Sequence, residues 1–312
     1  MGEKMSKKKK KAILLLAFGG ADSIESVGPF VKNIIKNRKV TPELVEKIEE
    51  RYKLIGGKSP LLETTMEQAE AIKKLLAGKG LEYEAYVGMR YWHPFIKDTL
   101  AQMKADGIEE AVGVIMAPFT SRVSTGGYEE DIDEWYRSPE GGRPRVEIVK
   151  NWHMSDLFIE AVIENINAEL AHFENKGDAL VILSSHSLPW VALEGDPYEM
   201  LVHQTVDEIS RRMPSIKIKF AYQSKGSGPR EWLGPATEDV IEAAAKEGCK
   251  GVVIVPLGFV ADHIETLYDI DILFKGIAES KGLAFRRTPS LNAHPKLMKL
   301  LADLVVVYGE RG

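Results

Sequence analysis

Residues 181–190 read VILSSHSLPW, an apolar run that ends in two serines, a histidine, a third serine and a proline. A histidine at such an exit can satisfy backbone groups, serve as base for a serine nucleophile, or accept a proton and ligate a metal. The serine chemistry needs a strand-to-helix elbow of the G-x-S-x-G kind, and SSHSLP lacks those glycines. His186 is therefore a structural residue or a proton acceptor and metal ligand. A second group, GFVADHIETLYDID over 258–271, places Asp262, His263, Glu265 and Asp269 behind another apolar run. Glu265 and Asp269 are four apart and share a face if the segment is helical. On the plainer reading, Asp262 and Glu265 form a D-x-x-E capping box that only starts a helix. A histidine and a carboxylate facing each other across a cleft would move protons, hold a divalent cation, or both. No H-E-x-x-H or C-x-x-C pattern closes a metal cage, so a metal here is expected to pass through as substrate.

Three loops could supply the rest of a pocket. RYKLIGGKSPLLETT (51–65) carries a Gly-Gly turn, then Ser59 as an expected N-cap with Pro60 at the first helical position. YQSKGSGPREWLGP (222–235) lacks the spacing of either phosphate-loop signature, which argues against a nucleotide. Its basic and aromatic residues, with those of GMRYWHPF (88–95), could instead clamp a flat aromatic anion, or simply be scattered core aromatics.

The elements that must position these groups are legible as apolar runs. AILLLAF (12–18), AVGVIMA (111–117), ALVILSS (179–185) and GVVIVPLGF (251–259) read as parallel strands covered on both faces, and YEAYVGMRY (83–91) and IKIKFAYQS (216–224) as further strands. Helical periods lie between them at 66–80, 98–107, 155–173 and 236–248. Alternation of this kind predicts open α/β sheets. GIEEAVGVIMAPF (107–119) parallels GCKGVVIVPLGF (248–259), so two similar halves are expected, over 12–154 and 155–312. Ligands in such folds bind outside the carboxyl ends of the strands, or in a cleft between halves. His186 stands at one of those ends.

Bulk properties narrow the partner. A chain of 312 residues can bury two cores, and its net charge of −5 argues against a broad nucleic-acid-binding face. The single cysteine, Cys249, excludes a disulfide framework and a cysteine-held iron–sulfur cluster within one chain, and fits a reducing cytoplasm. The basic run Lys7–Lys11 before AILLLAF is expected to be a solvated tail rather than part of a signal peptide, with peripheral membrane contact through it left open.

Taken together and in order, RYKLIGGKSP, GMRYWHP, SSHSLP, QSKGSGPREWLGP and GFVADHIETLYDID resemble the ferrochelatase family, over residues of about 12 to 304. The resemblance implies a class II chelatase-like fold of two similar open parallel-sheet, Rossmann-like domains with a cleft between them. It implies a lyase that inserts ferrous iron into a porphyrin, with iron as substrate and no permanently bound cofactor. The histidine of the family's H-S-L-P motif and the glutamate of its H-[IL]-E motif fall on His186 and Glu265, as catalytic and metal-contacting pair, with Asp269 one turn on. By their places in the motifs Phe18, Arg51, Tyr52, Ser59 and Tyr128 are expected to line the porphyrin site, Arg51 against a propionate.

Three departures stand out: Phe18 where coproporphyrin-using relatives often have tyrosine, Ile35 where such relatives can carry a propionate-binding arginine, and Leu273 in place of an acidic residue. GFVADH and the short C-terminus point the other way, so protoporphyrin IX and coproporphyrin III both stay open. Rival readings are a cobalt or nickel chelatase for a more acidic tetrapyrrole, which would ask for more arginines, and a non-catalytic carrier, which would not need Glu265.

Overall fold

The computed structural model describes residues 9–35, 39–226 and 231–310. The first half runs β1 (Lys11–Ala17), α1 (Ile24–Ile34), α2 (Pro42–Leu54), α3 (Leu61–Gly78), β2 (Glu84–Met89), α4 (Ile96–Ala105), β3 (Glu110–Ile115), α5 (Gly126–Arg137) and β4 (Arg145–Val149). The second runs α6 (Asp156–Leu170), β5 (Ala179–His186), α7 (Tyr198–Arg212), β6 (Lys217–Gln223), α8 (Thr237–Lys246), β7 (Gly251–Pro256) and α9 (Ile264–Leu267). A π-helical turn (Asp269–Phe274), α10 (Lys275–Ser280), β8 (Ala284–Arg287) and α11 (Pro295–Gly309) complete it.

Each half builds a four-stranded, wholly parallel sheet, in the orders β2-β1-β3-β4 and β6-β5-β7-β8. The two orders are the same, and β3 and β7, which carry the similar sequences, occupy the same place in their sheets. The expected pair of similar α/β halves is thus what forms. Burial explains the runs: Ala12–Leu16 of β1 and Val252–Ile254 of β7 have no exposed surface, because helices cover both faces of a parallel sheet. Each such side chain contributes about 1.5–3 kcal/mol relative to exposure.

Strands β4 and β8 have no counterpart in the sequence reading. They are sheet edges, and RVEIV buries only Val149 while AFRR buries nothing, so neither leaves a continuous apolar run. The largest core cluster joins the two sheets, with Ile13 and Val114 on one side and Val181, Leu183 and Val253 on the other. Helix α11 packs against α3, β3 and β4 as well as α6, and so ties the end of the chain back onto the first half.

Two local expectations shift. Helix α3 starts at Leu61 rather than Pro60, and Ser59 Oγ accepts from the Leu61 N–H at 3.3 Å. The basic run is not a free tail where it is described: Lys11 opens β1, Lys10 Nζ donates to Asp106 O at 2.9 Å, and Lys9 pairs with Glu110, while Lys7 and Lys8 lie outside the described residues. Among the described residues no helix is long and apolar enough to cross a membrane.

Candidate active site

The candidate site gathers at the carboxyl end of the second sheet, where Arg51 of the first half reaches it. Strand β5 delivers His186 as its last residue, and the three serines around it are spent on holding it. Ser184 Oγ donates to Gln223 Oε1 at 2.7 Å, Ser187 Oγ to Leu233 O at 2.8 Å, and Ser185 Oγ meets Tyr198 Oη at 2.6 Å. Tyr198 Oη in turn donates to His186 O at 2.8 Å, so Ser185 is the donor in its own bond. All three serines are buried and engaged, which closes the nucleophile reading on structural grounds as well. The His186 ring points the other way. Nδ1 lies 2.5 Å from Ser187 O and must carry a proton there, which leaves Nε2 for chemistry.

Glu265 arrives from the neighbouring connection of the same sheet, on α9 just after β7, which pairs in parallel with β5. Its Oε1 is 3.4 Å from His186 Nε2 and its Oε2 is 3.7 Å from His263 Nε2. The capping-box account of this glutamate fails. His263 is the N-cap of α9 and its partner is Thr266, whose Oγ accepts from the His263 N–H at 3.0 Å, so Glu265 has no part in starting the helix. Asp262 is also used elsewhere, as acceptor from Thr266, Ser290, Asn292 and Arg287. Burial disfavours charge on His186 and Glu265 alike, yet their mutual attraction outweighs it. The net effect raises the His186 pKa and holds the Glu265 carboxyl well below the usual range. The two form an ion pair whenever His186 is protonated.

Asp269 does not follow Glu265 along a regular helix, as spacing alone suggested. Helix α9 lasts four residues and the chain widens into the π-helical turn, a rare geometry that recurs at functional sites. Asp269 opens this turn, accepting from Ser224 Oγ at 2.6 Å and lying 3.8 Å from Arg51 Nη1. Burial, with the Glu265 charge adding to it, pushes its pKa up. Arg51 belongs to the first half, and its guanidinium also stacks on the Tyr268 ring, 4.9 Å from the centroid. Its side chain therefore bridges the halves, where a propionate partner had been expected. Arg51 Nε is buried and without a hydrogen-bond partner, a donor the protein leaves unsatisfied.

The ferrochelatase family profile matches residues 10–307. The chain belongs to the ferrochelatase family. It is 39% identical to the ferrochelatase of Geotalea uraniireducens, covering 95% of this chain and 97% of that one. It is 35% identical to the coproporphyrin III ferrochelatase of Halalkalibacterium halodurans, covering 96% and 97%. The sirohydrochlorin chelatase SirB of Bacillus subtilis shares the fold, with a TM-score of 0.57 at 12% identity over 97% of this chain and 96% of that one. The two-sheet architecture is therefore that of the class II chelatases.

Within this ferrochelatase-family chain the five expected lining residues are not equivalent. Phe18 follows β1 directly, as close to its strand end as His186 is to β5, and is 44% exposed with its ring 4.5 Å from Tyr91. Tyr52 and Ser59 offer no open surface. Tyr52 is fully buried, its Oη accepts from the Ala21 N–H at 3.1 Å, and burial pushes that hydroxyl up to about 12. The Ser59 N–H donates to Ala21 O at 2.8 Å. A Cβ on Gly20 would stand 2.5 Å from Ser59, and Gly19 has φ +98°, so only glycines allow this turn to close on its braces. Both residues thus hold the turn that presents Phe18. Tyr128, on the inner face of α5, is buried in the core, its ring 5.9 Å from the Arg90 guanidinium. Ile35 packs against the Phe30–Tyr52 cluster, and Leu273 is 40% exposed on the π-helical turn.

Sequence reasoning assigned no role to His263, Tyr198, Gln223 or Ser224. Gln223 Nε2 donates to Glu265 O at 3.0 Å while Oε1 takes the Ser184 hydroxyl, so one buried amide spans from the His186 strand to the Glu265 backbone. Ser224 reaches Asp269 from a left-handed φ of 58°, a strained conformation for serine. Both sit in the QSKGSGP stretch, whose residues 227–229 lie outside those described. Among the described residues no cluster of three or more histidine, cysteine or carboxylate side chains is placed to hold a metal ion.

Proposed function

We infer that the protein inserts ferrous iron into a porphyrin, the metal-loading step of haem biosynthesis. The observation that carries the reading is the His186–Glu265 pair, 3.4 Å apart at the carboxyl ends of the neighbouring strands β5 and β7 in a ferrochelatase-family chain. A free-base porphyrin exchanges two pyrrole protons for one divalent ion. Neutral His186, its tautomer set by Ser187 O, has Nε2 free to accept one of them. The Glu265 carboxylate steadies the imidazolium that results and attracts the cation. Arg51, with its unsatisfied Nε, is proposed to turn from Asp269 toward a propionate when the porphyrin enters. Iron is a substrate, no resident cofactor is proposed, and the single cysteine supports a reducing, cytoplasmic setting.

The direct test mixes the purified protein anaerobically with ferrous iron and, in separate runs, protoporphyrin IX or coproporphyrin III. Collapse of the free-base spectrum with either is the expected result, and the ratio of the two rates names the porphyrin. No collapse with either would overturn the reading, and binding without metallation would favour a carrier.

A pH dependence follows from the ion pair. Because the carboxylate raises the His186 pKa, the ring is protonated and unable to accept at pH values below that raised pKa, and becomes neutral as pH rises through it. Metallation kcat/KM should therefore climb with pH, with a midpoint above the ordinary imidazole value of about 6.5. In Glu265→Gln the carboxylate's contribution is removed while burial, opposed only by Ser187 O and the Asp269 charge, remains, so the His186 titration followed by NMR should move downward. A flat rate profile between about pH 6 and 9 would exclude His186 as the acceptor.

Phe18→Tyr is expected to alter KM or kcat for metallation while leaving Tm within about 2 °C, since an added hydroxyl at a 44% exposed ring meets water or substrate. A larger fall in Tm with parent kinetics would place Phe18 in the packing instead.

A further inference from the structure

Arg287 is the last residue of β8, the edge strand behind the site. Its side chain is 14% exposed. Nε and Nη2 donate to the two oxygens of Asp271, at 2.6 and 3.0 Å, and Nη1 donates to Asp262 Oδ1 at 3.0 Å. Asp262 immediately precedes His263, and Asp271 lies in the π-helical turn two residues after Asp269. One guanidinium thus ties both ends of the ten-residue segment 262–271 that contains His263, Glu265 and Asp269. Asp262 is itself anchored by Ser290 Oγ and Asn292 Nδ2, each at 2.9 Å, so the segment hangs from the chain that follows β8.

A tie of this kind answers a need that the local sequence cannot meet. A π-helical turn closes i→i+5 bonds and is less favourable than the α-helix into which it can rewind by losing one residue from the turn. Rewinding would rotate Asp271 away from its present direction and carry Asp269 off Ser224 and Arg51. Two charge-assisted bonds from a planar fork to Asp271 resist that rotation, since a carboxylate gripped by both oxygens has one orientation.

We propose that Arg287 is a positioning residue for iron insertion, its clamp on Asp262 and Asp271 holding the π-helical turn in the register that presents Glu265 and Asp269 together to the cleft. This rests on the reading that the cleft metallates porphyrin. Arg287 itself meets no substrate.

The experiment compares the parent with Arg287→Lys, Arg287→Met and Asp271→Asn, measuring kcat and porphyrin KM separately, with Tm alongside. Arg287→Met should lower kcat by roughly 10–100-fold, the scale seen when a supporting partner of a site is lost, with porphyrin KM within about twofold of the parent. Arg287→Lys keeps the charge without the fork and should fall between the two. Asp271→Asn leaves the Arg287–Asp262 bond in place and its side chain is 34% exposed. It should lose kcat with a Tm near the parent's, and it keeps the test open if Arg287→Met does not fold. A parent kcat in folded Arg287→Met or in Asp271→Asn, whatever their Tm, would overturn the positioning role alone. Failure of the parent to metallate any porphyrin would instead overturn the functional reading, and the role with it.

Discussion

Glu265→Gln is expected to yield a folded protein that binds porphyrin and metallates it at roughly a hundredth of the parent rate or less, the usual scale for losing acid–base assistance. The structure sharpens this substitution into a clean one. Helix α9 is started by His263 and Thr266, so the glutamate has no capping duty to lose. Its backbone carbonyl still accepts from Gln223, and its side chain lies against His186 and His263. The amide keeps shape and hydrogen-bonding capacity while removing the negative charge that pairs with His186. Stability should change by no more than about 1 kcal/mol, the range for ion pairs that water can reach. Porphyrin affinity, read by quenching of tryptophan fluorescence, should stay within a few-fold of the parent. Metallation at the parent rate would remove the glutamate from the chemistry and leave the ion pair as a structural contact.

His186→Ala should be the more severe of the two, with metallation reduced by roughly 10²–10⁴-fold while the fold persists. The ring is one-third exposed and is held by the neighbouring Ser187 carbonyl and by Glu265, so truncation opens no core cavity. What it removes is the imidazole at the end of β5 whose Nε2 can take a pyrrole proton near neutral pH. Glu265 is left facing an empty position, still partnered by His263. Added imidazole should restore part of the rate if the missing function is proton acceptance, and should not if the ring had served only to orient porphyrin. An unchanged rate in His186→Ala would return the histidine to a structural role.

The central strands, and the end of β5 that carries His186, were readable from the chain because a parallel strand buried on both faces leaves an unbroken apolar run. Edge strands β4 and β8 were not, since half-solvated residues leave no such run. The motifs were enough to name His186, Glu265 and Asp269, and to identify the family. They could not tell Phe18, which is exposed, from Tyr52 and Ser59, which brace its turn, because membership of a motif says nothing about which way a side chain faces. The capping box at Asp262 failed for a related reason: a D-x-x-E spacing is local, whereas Arg287, Ser290 and Asn292 claim that aspartate from more than twenty residues away.

Residue types and their order along the chain therefore determined the chemistry available and the strand ends that bear it. Tertiary structure alone decided the 3.4 Å approach of His186 to Glu265, the widening of the helix before Asp269, and the turn of Arg51 toward the second half. The first depends on β5 and β7 pairing within one sheet and the last on the two halves closing on a shared core, and no local pattern encodes a distance between groups so far apart in sequence.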